Sequence, residues 1–371
     1  MSTLRGIVRK GGRRAAIGAA TVAAATTMLL ALGVGPAFGC SQSSHCYGTV
    51  VWTSTPDYYG GLAALQVSRL EQSDTPNVNT GDFASQEIWV GTNGSNNGSY
   101  WVENGMSRGS PQSAGAGIYW FWADNRPCCG YFEHDFLDTI RTSTTYNAKI
   151  NYIGNNSWNV YRDGNLLSPG TSTSNPPPSH YLQSGLEVTN THAHVNGTGA
   201  SLQKRSAGGS SWSYGWSGAT PFYISPAFSQ WTGSPTSYLD YINPNTVSAV
   251  SALSHASTAV TSTLTGPPDF VALVKEAARL NGEPSPTGIR ATPTTRAAAF
   301  AAVGAGADDV PATPVELVVA HGAFTGFEAK APKGSSQPRG RVLFLLVDSA
   351  SGIVTDWGIS DVDPLAGAAR H

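Results

Sequence analysis

Two glutamates lie at the centres of predicted β-strands in a chain that carries few charges. A period of two places Glu103 on the same strand face as Trp101, and places Glu187 on the opposite face from Leu186 and Val188. If the two carboxyl groups face each other across a concave sheet, repulsion between like charges and partial burial would separate their pKa values. One carboxyl group would then stay protonated as an acid while the other acts as a base. Alternatively, each glutamate only decorates a solvated sheet face.

The elements that must position these glutamates are short strands. Segments that alternate apolar and polar residues, or that are rich in aromatic residues, are separated by turn dipeptides such as Asn93-Gly94 and Asp163-Gly164. Charged residues make up only 12% of the 371, which argues against a coiled coil or a helical bundle. The pattern predicts a mostly β fold, a concanavalin-like antiparallel β-sandwich (jelly roll). The predicted strands cover residues 62–70, 86–90, 99–103, 117–123, 148–153, 157–162 and 186–190.

The composition changes along the chain and predicts two domains. Nine of the ten tryptophans lie between Trp52 and Trp231, and the residues that follow are rich in Ala, Val, Thr and Pro. In that later part, Asp269 is expected to begin a helix that stops at Asn281, and residues 315–319, 342–347 and 353–355 are predicted strands. We therefore predict a β-sandwich domain over residues 40–245, a linker over 246–266 and a small α+β domain over 267–371.

Residues 1–39 have the pattern of a secretory signal peptide. Five basic residues occupy the first fourteen positions, and an uncharged run leads to the small residue Gly39. We expect export to the extracellular space with cleavage before Cys40; an uncleaved membrane anchor or a lipid on Cys40 is the alternative. The remaining chain carries 17 basic and 24 acidic residues, a net charge of −7, which argues against a nucleic-acid partner.

The four cysteines predict disulfide bonds, because an even number in an exported chain is typical of them. Adjacent cysteines pair with each other only at a strained geometry. We therefore expect Cys128 and Cys129 each to bond to one of Cys40 and Cys46. Two such bridges would tie the N-terminal segment to the turn at Pro127.

Four segments resemble, in their order, the neprosin-type glutamic peptidases. They are YYG at 58–60, FASQEIWV at 83–90, WVENG at 101–105 and YWFWAD at 119–124. The fungal glutamic peptidases, or eqolisins, have a related layout, and the resemblance covers roughly residues 47–230. Both families are antiparallel β-sandwiches, which is the fold that the resemblance implies. Glu103 stands where neprosins have their first catalytic Glu and eqolisins a Gln, and Glu187 resembles the second catalytic Glu.

The resemblance implies a water-mediated endopeptidase that acts in acid. One of Glu103 and Glu187 would activate water, and the other would stabilise the tetrahedral intermediate. The substrate would be a polypeptide, and the reaction needs no cofactor.

Two other functions fit nearly the same residues. Secreted jelly-roll glycoside hydrolases also use two glutamates on facing strands and would take a polysaccharide. A non-catalytic domain could instead bind sugar rings or an extended peptide on an aromatic platform, with about half of its rings buried in the core. The candidate substrate-binding residues are Trp101, Tyr119, Trp120 and Trp122. In each case we expect a monomer without stable membrane insertion.

Other polar groups are assigned weaker roles. Glu133 and Asp135 share one face of a predicted strand with His134 opposite, and a role at a sheet edge is favoured over catalysis. His192 and His194 could share a strand face as metal ligands, but no third ligand is suitably spaced, so no metal is expected.

The C-terminal region contains a predicted hairpin whose sequence resembles a known motif. Residues 347–354 (VDSASGIV) resemble the Asp-x-x-Thr-Gly-x-Val hairpin of small secreted domains that restrain or accompany peptidases. This resemblance implies an inhibitory or accessory role for the C-terminal part.

Overall fold

The computed structural model describes residues 40–74, 81–94, 98–109, 117–217, 219–223, 228–234, 237–242, 269–307 and 309–366. The predicted signal peptide, the boundary at residue 245 and the linker over 246–266 lie outside these residues. Within the described part of the chain, no helix is long and apolar enough to cross a membrane.

Eighteen strands and two described helices make up the fold. The first nine strands are β1 (Cys46–Glu71), β2 (Phe83–Gly91), β3 (Trp101–Gly109), β4 (Tyr119–Arg126), β5 (Gly130–Thr139), β6 (Tyr146–Gly154), β7 (Ser157–Arg162), β8 (Asn165–Ser172) and β9 (Ser179–Val188). Next come β10 (His194–Ser206), β11 (Trp212–Tyr214), β12 (Thr220–Tyr223), β13 (Phe228–Ser234) and β14 (Ser237–Ile242). The C-terminal part contains α1 (Phe270–Leu280), β15 (Thr287–Thr295), α2 (Arg296–Ala302), β16 (Pro314–Thr325), β17 (Arg339–Asp348) and β18 (Val354–Ser360).

The strands form two antiparallel sheets that share β1. In the large sheet the order is β12-β1-β9-β2-β3-β4-β5-β18-β17-β16-β15. In the small sheet it is β8-β7-β6-β1-β10-β14-β13, with β11 also paired to β10. The register of β1 against β9 shifts between Thr53 and Tyr58, where the strand leaves one sheet for the other. The predicted antiparallel β-sandwich is confirmed.

An apolar core fills the space between the two sheets. The large sheet contributes Ile88, Trp120 and Leu186, and the small sheet contributes Leu65 and Ile150. These side chains alternate with those on the outer faces, as the period of two requires. Burying each such side chain stabilises the fold by about 1.5–3 kcal/mol before entropy is counted.

The C-terminal part extends the large sheet. The side chain of Asp269 caps α1 by accepting from the amides of Val271 and Ala272, and Asn281 ends the helix, as predicted. The predicted strands 315–319 and 342–347 lie within β16 and β17, and the third, 353–355, begins one residue before β18. Because β18 pairs with β5, with Trp357 opposite Glu133, residues 269–366 belong to the same compact unit as the sandwich.

The predicted disulfide pairing is wrong. The bonds are Cys40–Cys46 and Cys128–Cys129, so each joins residues close in sequence. Cys46 begins β1, whereas Cys128 and Cys129 form the turn between β4 and β5. In the order β1-β9-β2-β3-β4, four strand spacings separate these places, which is roughly 19 Å. That separation excludes the crossed pairing, since the Cα atoms of a disulfide lie within about 7 Å.

Candidate functional site

One face of the large sheet carries five buried acidic side chains, and we call it the carboxyl face. Cross-strand partners point to the same side of a sheet, and the register places these acids on neighbouring strands. The opposite face of the same strands forms the core of the sandwich. The five acids are Glu87, Glu103, Glu133, Asp135 and Glu187, each at most 2% exposed.

The two glutamates predicted as a pair lie on this face, but with a third between them. Glu187 of β9 lies opposite Ser85 of β2, and Glu103 of β3 lies opposite Trp89. The Cα atoms of Glu187 and Glu103 are thus two strands and four positions apart, roughly 16 Å. Glu87 lies on the strand between them and is a diagonal neighbour of both, at roughly 7–8 Å. Glu87 is therefore closer to each of these two glutamates than they are to each other.

Glu187 has a mixed set of partners. Its Oε1 lies 2.5 Å from His45 Nδ1, and both carboxyl oxygens accept from the amide of Ala331, at 3.4 and 3.3 Å. The other ring nitrogen of His45 lies 2.9 Å from the carbonyl of Gln42 and 3.0 Å from that of Phe327. Because Nε2 must carry a hydrogen to donate to these carbonyls, His45 and Glu187 share one further proton.

Glu103 is linked to Glu133 through a tyrosine. Trp101 Nε1 donates to Glu103 Oε2 at 3.0 Å. The hydroxyl of Tyr131 lies 3.3 Å from Glu103 Oε1 and 2.5 Å from Glu133 Oε2. A hydroxyl has one hydrogen to donate, so the Tyr131–Glu103 contact is favourable when one of the carboxyl groups is protonated.

Lys330 supplies the cation of the carboxyl face. Its Nζ lies 2.5 Å from Glu133 Oε1, and both side chains are fully buried. The ammonium also lies over the rings of Phe121 and Phe83, at 4.5 and 5.1 Å from their centroids. Such a buried cation between a carboxylate and aromatic rings is held by both charge pairing and cation–π attraction.

Lys330 belongs to a segment that lies across the carboxyl face, residues 327–337 between β16 and β17, which we call the covering segment. Its main chain is held by side chains of the sheet at two residues. Tyr47 Oη donates to the carbonyl of Ala331 at 2.7 Å. The amide of Lys333 donates to Gln183 Oε1 at 2.9 Å, and Tyr181 Oη donates to the carbonyl of Lys333 at 2.8 Å. The sheet therefore binds the main chain of this segment at Ala331 and Lys333, between one turn that ends at Ala329 and another that ends at Ser335.

Burial and mutual repulsion shift the pKa values of these acids upward. Burial raises the pKa of Glu87 and of Glu103 well above the usual range, and the neighbouring carboxylates add to both shifts. Burial also raises the pKa of Glu187, although His45 opposes the shift. Protonation of Glu87 and Glu103 is therefore favoured relative to exposed glutamates.

The pKa of Lys330 is raised, whereas burial alone would lower the pKa of an amine. Burial lowers the pKa of Lys330, but Glu133, Tyr119 and Asp135 outweigh it and hold the pKa well above its ordinary value. Lys330 is therefore charged. Burial raises the pKa of Asp135 well above its usual range, and the charge of Glu133 adds to the shift. The face thus combines a charged lysine with several acids for which burial favours the protonated form.

The aromatic residues predicted to bind substrate divide between the two faces. Trp101 and Tyr119 lie on the carboxyl face, in the same cluster as Phe121. Trp120 and Trp122 lie in the core between the sheets, as their odd offset from Tyr119 dictates. They therefore lie away from Glu103 and Glu187. All four rings are buried.

The prediction that Glu133 and Asp135 lie at a sheet edge is wrong. They do share a face, with His134 opposite, but β5 is paired on both sides, to β4 and to β18. The partner strand β18 comes from more than 200 residues later in the chain, so local sequence gives no sign of it. His134 faces the other side, where its Nδ1 contacts Asp356.

The two histidines that were considered as metal ligands both contact the same carboxylate instead. His192 Nδ1 and His194 Nε2 lie 2.9 and 2.7 Å from the two oxygens of Asp74. Over the residues that the structure describes, no group of three His, Cys, Asp or Glu side chains is arranged to hold a metal ion.

Three members of the site were missed as functional residues, namely Glu87, His45 and Lys330. Glu87 could have been found, because the period of two puts it on one strand face with Ser85 and Trp89, and the same kind of pattern identified Glu103 on its own strand. His45 lies next to a cysteine before the first strand, and Lys330 lies in a loop, where no periodicity indicates which way a side chain points.

Comparison with known proteins gives likeness only at the level of solved structures. No family model matches the chain, and no curated protein matches it. A scytalido-glutamic peptidase bound to a peptide-based transition-state analogue aligns over 53% of this chain and 98% of its own, at 12% identity and a TM-score of 0.39. A second eqolisin-family peptidase, in complex with the tripeptide Ala-Ile-His, covers the same shares at 10% identity and a TM-score of 0.36. A galectin of Caenorhabditis elegans aligns over 42% of this chain and 99% of its own, at 13% identity and a TM-score of 0.23.

Proposed function

We propose that the chain is an acid-acting glutamic peptidase for extended polypeptides, held in a covered form by its own C-terminal part. The observation that carries this proposal is the covering segment, whose main chain is bound by Glu187, Tyr47, Gln183 and Tyr181 on the carboxyl face. Most of the contacts at Ala331 and Lys333 use amides and carbonyls, which every polypeptide has. The same side chains would therefore hold another chain in the same way.

The position of Glu187 suits proton transfer to a peptide bond. Its two oxygens lie 3.4 and 3.3 Å from the nitrogen of Ala331, which is the amine side of the Lys330–Ala331 bond. A protonated carboxyl group at this place would donate to the leaving amine as the carbon–nitrogen bond breaks. The oxygen of water would add to the carbonyl carbon after a second carboxylate removes its proton.

Glu87 is the best placed carboxyl group for activating water once the covering segment is displaced, because contact with water would then remove the burial that raises its pKa in the covered form. It is the diagonal neighbour of Glu187, and among the described residues its Oε2 has no hydrogen-bond partner. Its Oε1 accepts from the hydroxyl of Ser85. Glu103, which the sequence resemblance pairs with Glu187, lies one strand further on and is bound by Trp101 and Tyr131. We propose that Glu103 takes no direct part in bond cleavage and acts through its charge, which shifts the pKa values of the neighbouring acids on the carboxyl face.

The covering segment would block this reaction in the intact chain. Lys330 neutralises Glu133. With the covering segment in place, the five acids of the carboxyl face are buried from solvent. Activity would then require that residues 327–337 be displaced or cut. The C-terminal part acts as the restraining element that its hairpin motif implies.

The test is a full-length variant in which residues 328–336 are replaced by a Gly-Ser stretch of equal length. Both flanking strands, β16 and β17, keep their sequences, so the pairing of β18 with β5 is retained. We expect this variant to cleave denatured protein between pH 3 and 6, and the intact chain to cleave it much more slowly. Glu187→Gln in the variant should abolish cleavage, and Glu87→Gln should reduce it more than Glu103→Gln does.

A folded variant that cleaves no polypeptide at any pH would overturn the proposal, with a cooperative thermal transition as the measure of folding. The same variant should be assayed on xylan, because sugar release would favour the glycoside hydrolase. If the replacement prevents folding, the intact chain cut by a protease at an inserted site within residues 334–336 is assayed instead. That cut lies in a partly exposed stretch and leaves the strands intact.

A second candidate is a polypeptide-binding domain without catalysis. The same main-chain contacts favour it, because they account for binding and not for bond cleavage. The uncovered variant would then bind an extended peptide at acid pH and leave it uncut.

A further inference from the structure

The pocket that holds Lys330 has the composition of a recognition site for a lysine side chain. One wall is the carboxylate of Glu133, 2.5 Å from the ammonium. The others are the rings of Phe121, Phe83 and Tyr119, whose centroids lie 4.5, 5.1 and 6.0 Å from Nζ. Aromatic rings also suit the four methylene groups of lysine, which are apolar.

The pocket has a fixed position relative to the main-chain contacts. Counting Lys330 as the first residue, the second residue is held by Glu187 and Tyr47, and the fourth by Gln183 and Tyr181. The third, Pro332, has no amide hydrogen to satisfy and lies near Gly98. A polypeptide bound with a lysine in the pocket would therefore be in one register, and its next peptide bond would lie at Glu187.

We propose that the carboxyl face selects extended polypeptides with a lysine at this first position, and that the covering segment occupies the site as an internal copy of such a ligand. The cleavage of such a polypeptide rests on the proposed function, whereas its binding through the lysine pocket does not. Arginine is a poorer fit, because a planar guanidinium needs more paired acceptors than one carboxylate. Neutral side chains would leave the buried Glu133 without a cationic partner.

The first experiment measures binding of synthetic peptides to the full-length variant with residues 328–336 replaced by Gly-Ser. The reference peptide has the sequence of residues 327–336, FEAKAPKGSS. Exchanging its first lysine, the equivalent of Lys330, for methionine should weaken binding by about 100-fold or more, because breaking a buried ion pair is strongly unfavourable. Exchanging the second lysine, the equivalent of the half-exposed Lys333, is the matched control and should change binding less than about fivefold.

Glu133→Gln in the same protein completes the test. We expect this substitution to weaken binding of the reference peptide strongly and to leave binding of the methionine peptide nearly unchanged. The preference for lysine would then be lost. If the two peptides bind equally well to the protein that retains Glu133, the inference is wrong. If the replaced loop prevents folding, the same peptides are tested as competitors on the chain cut within residues 334–336, with the same ranking expected.

Failure of this inference can be told apart from failure of the proposed function. Lysine-dependent binding without cleavage would support the pocket and reject the peptidase. Cleavage at peptide bonds without preference for a preceding lysine would support the peptidase and reject the pocket.

Discussion

The two faces of the large sheet are made by alternate residues of the same strands, yet they differ in how their polar groups are satisfied. On the core face, Trp120 Nε1 donates to Asn104 Oδ1 at 2.7 Å, and Trp122 Nε1 donates to the carbonyl of Pro169 at 2.9 Å. None of these groups changes its protonation near neutral pH; a buried acid beside them on this face, Asp124, has a pKa that burial raises to about 6 and is paired with Arg126. On the carboxyl face, several acids surround a single lysine, so their charge depends on bound protons. One face is suited to packing, and the other to chemistry.

The largest effect is expected from removing the cation of the carboxyl face. Lys330→Met should destabilise the protein by about 3–5 kcal/mol at pH 7, because it leaves Glu133 buried without its partner. The free energy of unfolding in urea measures this loss. Arg341→Met is the matched control: its ion pair with Asp361 is exposed, so the change should stay within about 1 kcal/mol. An equal effect of the two substitutions would contradict the description of Lys330 as a buried cation.

A smaller effect, and one independent of pH, is expected on the core face. Trp122→Phe removes part of an indole ring and its hydrogen bond, which should cost about 2 kcal/mol. Because Trp122 contacts no acid of the carboxyl face, the loss should be nearly the same at pH 7 and pH 8, both above the pKa of about 6 of Asp124, the buried acid two residues away on the core face. Urea unfolding at both pH values checks this, and a loss that doubled between them would show that the two faces are coupled.

The stability of the intact protein should itself depend on pH through the carboxyl face. Burial raises the pKa of Glu87, Glu103 and Glu187 in the folded state, so the folded protein binds more protons than the unfolded chain. Stability should therefore rise as the pH falls from 8 to 5, toward the unfolded pKa values. The melting temperature across this range measures it. Glu103→Gln should make the dependence shallower, whereas a melting temperature that falls from pH 8 to pH 5 would refute the assignment.

The smallest effect is expected at the turn that lies away from both faces. Replacing Cys128 and Cys129 by serine opens a loop of only two residues and should cost about 1 kcal/mol, whereas replacing Cys40 and Cys46 should cost about 2 kcal/mol. Thermal unfolding of the two double variants compares them. A peptide map without reductant, in which residues 40–46 and 128–129 stay unlinked, checks the pairing independently.

Much of the fold could be predicted because it depends on local pattern. The alternation around Glu103 and Glu187 indicated a strand at each and which neighbours share the face of each acid, and the capping residue Asp269 and the stop at Asn281 marked a helix. The turn dipeptides separated the strands of the sandwich. These features need only neighbouring residues, and the structure places them as expected.

The partners across the sheet could not be predicted in the same way. The disulfide pairing depended on which strands lie side by side, and the edge position of Glu133 depended on whether another strand follows β5. Lys330 reaches Glu133 from a loop 197 residues away, and no spacing in the sequence relates the two.

By itself, the sequence determined the class of the fold and which acids share a strand face, because side-chain alternation follows from the pleat of a single strand. Only the tertiary structure decided that these acids are buried, that Glu87 lies between Glu103 and Glu187, and that a lysine of the same chain neutralises Glu133. Those outcomes depend on strand order and on the path of the covering segment. Both result from the free energy of packing the whole chain, which no short stretch of residues encodes.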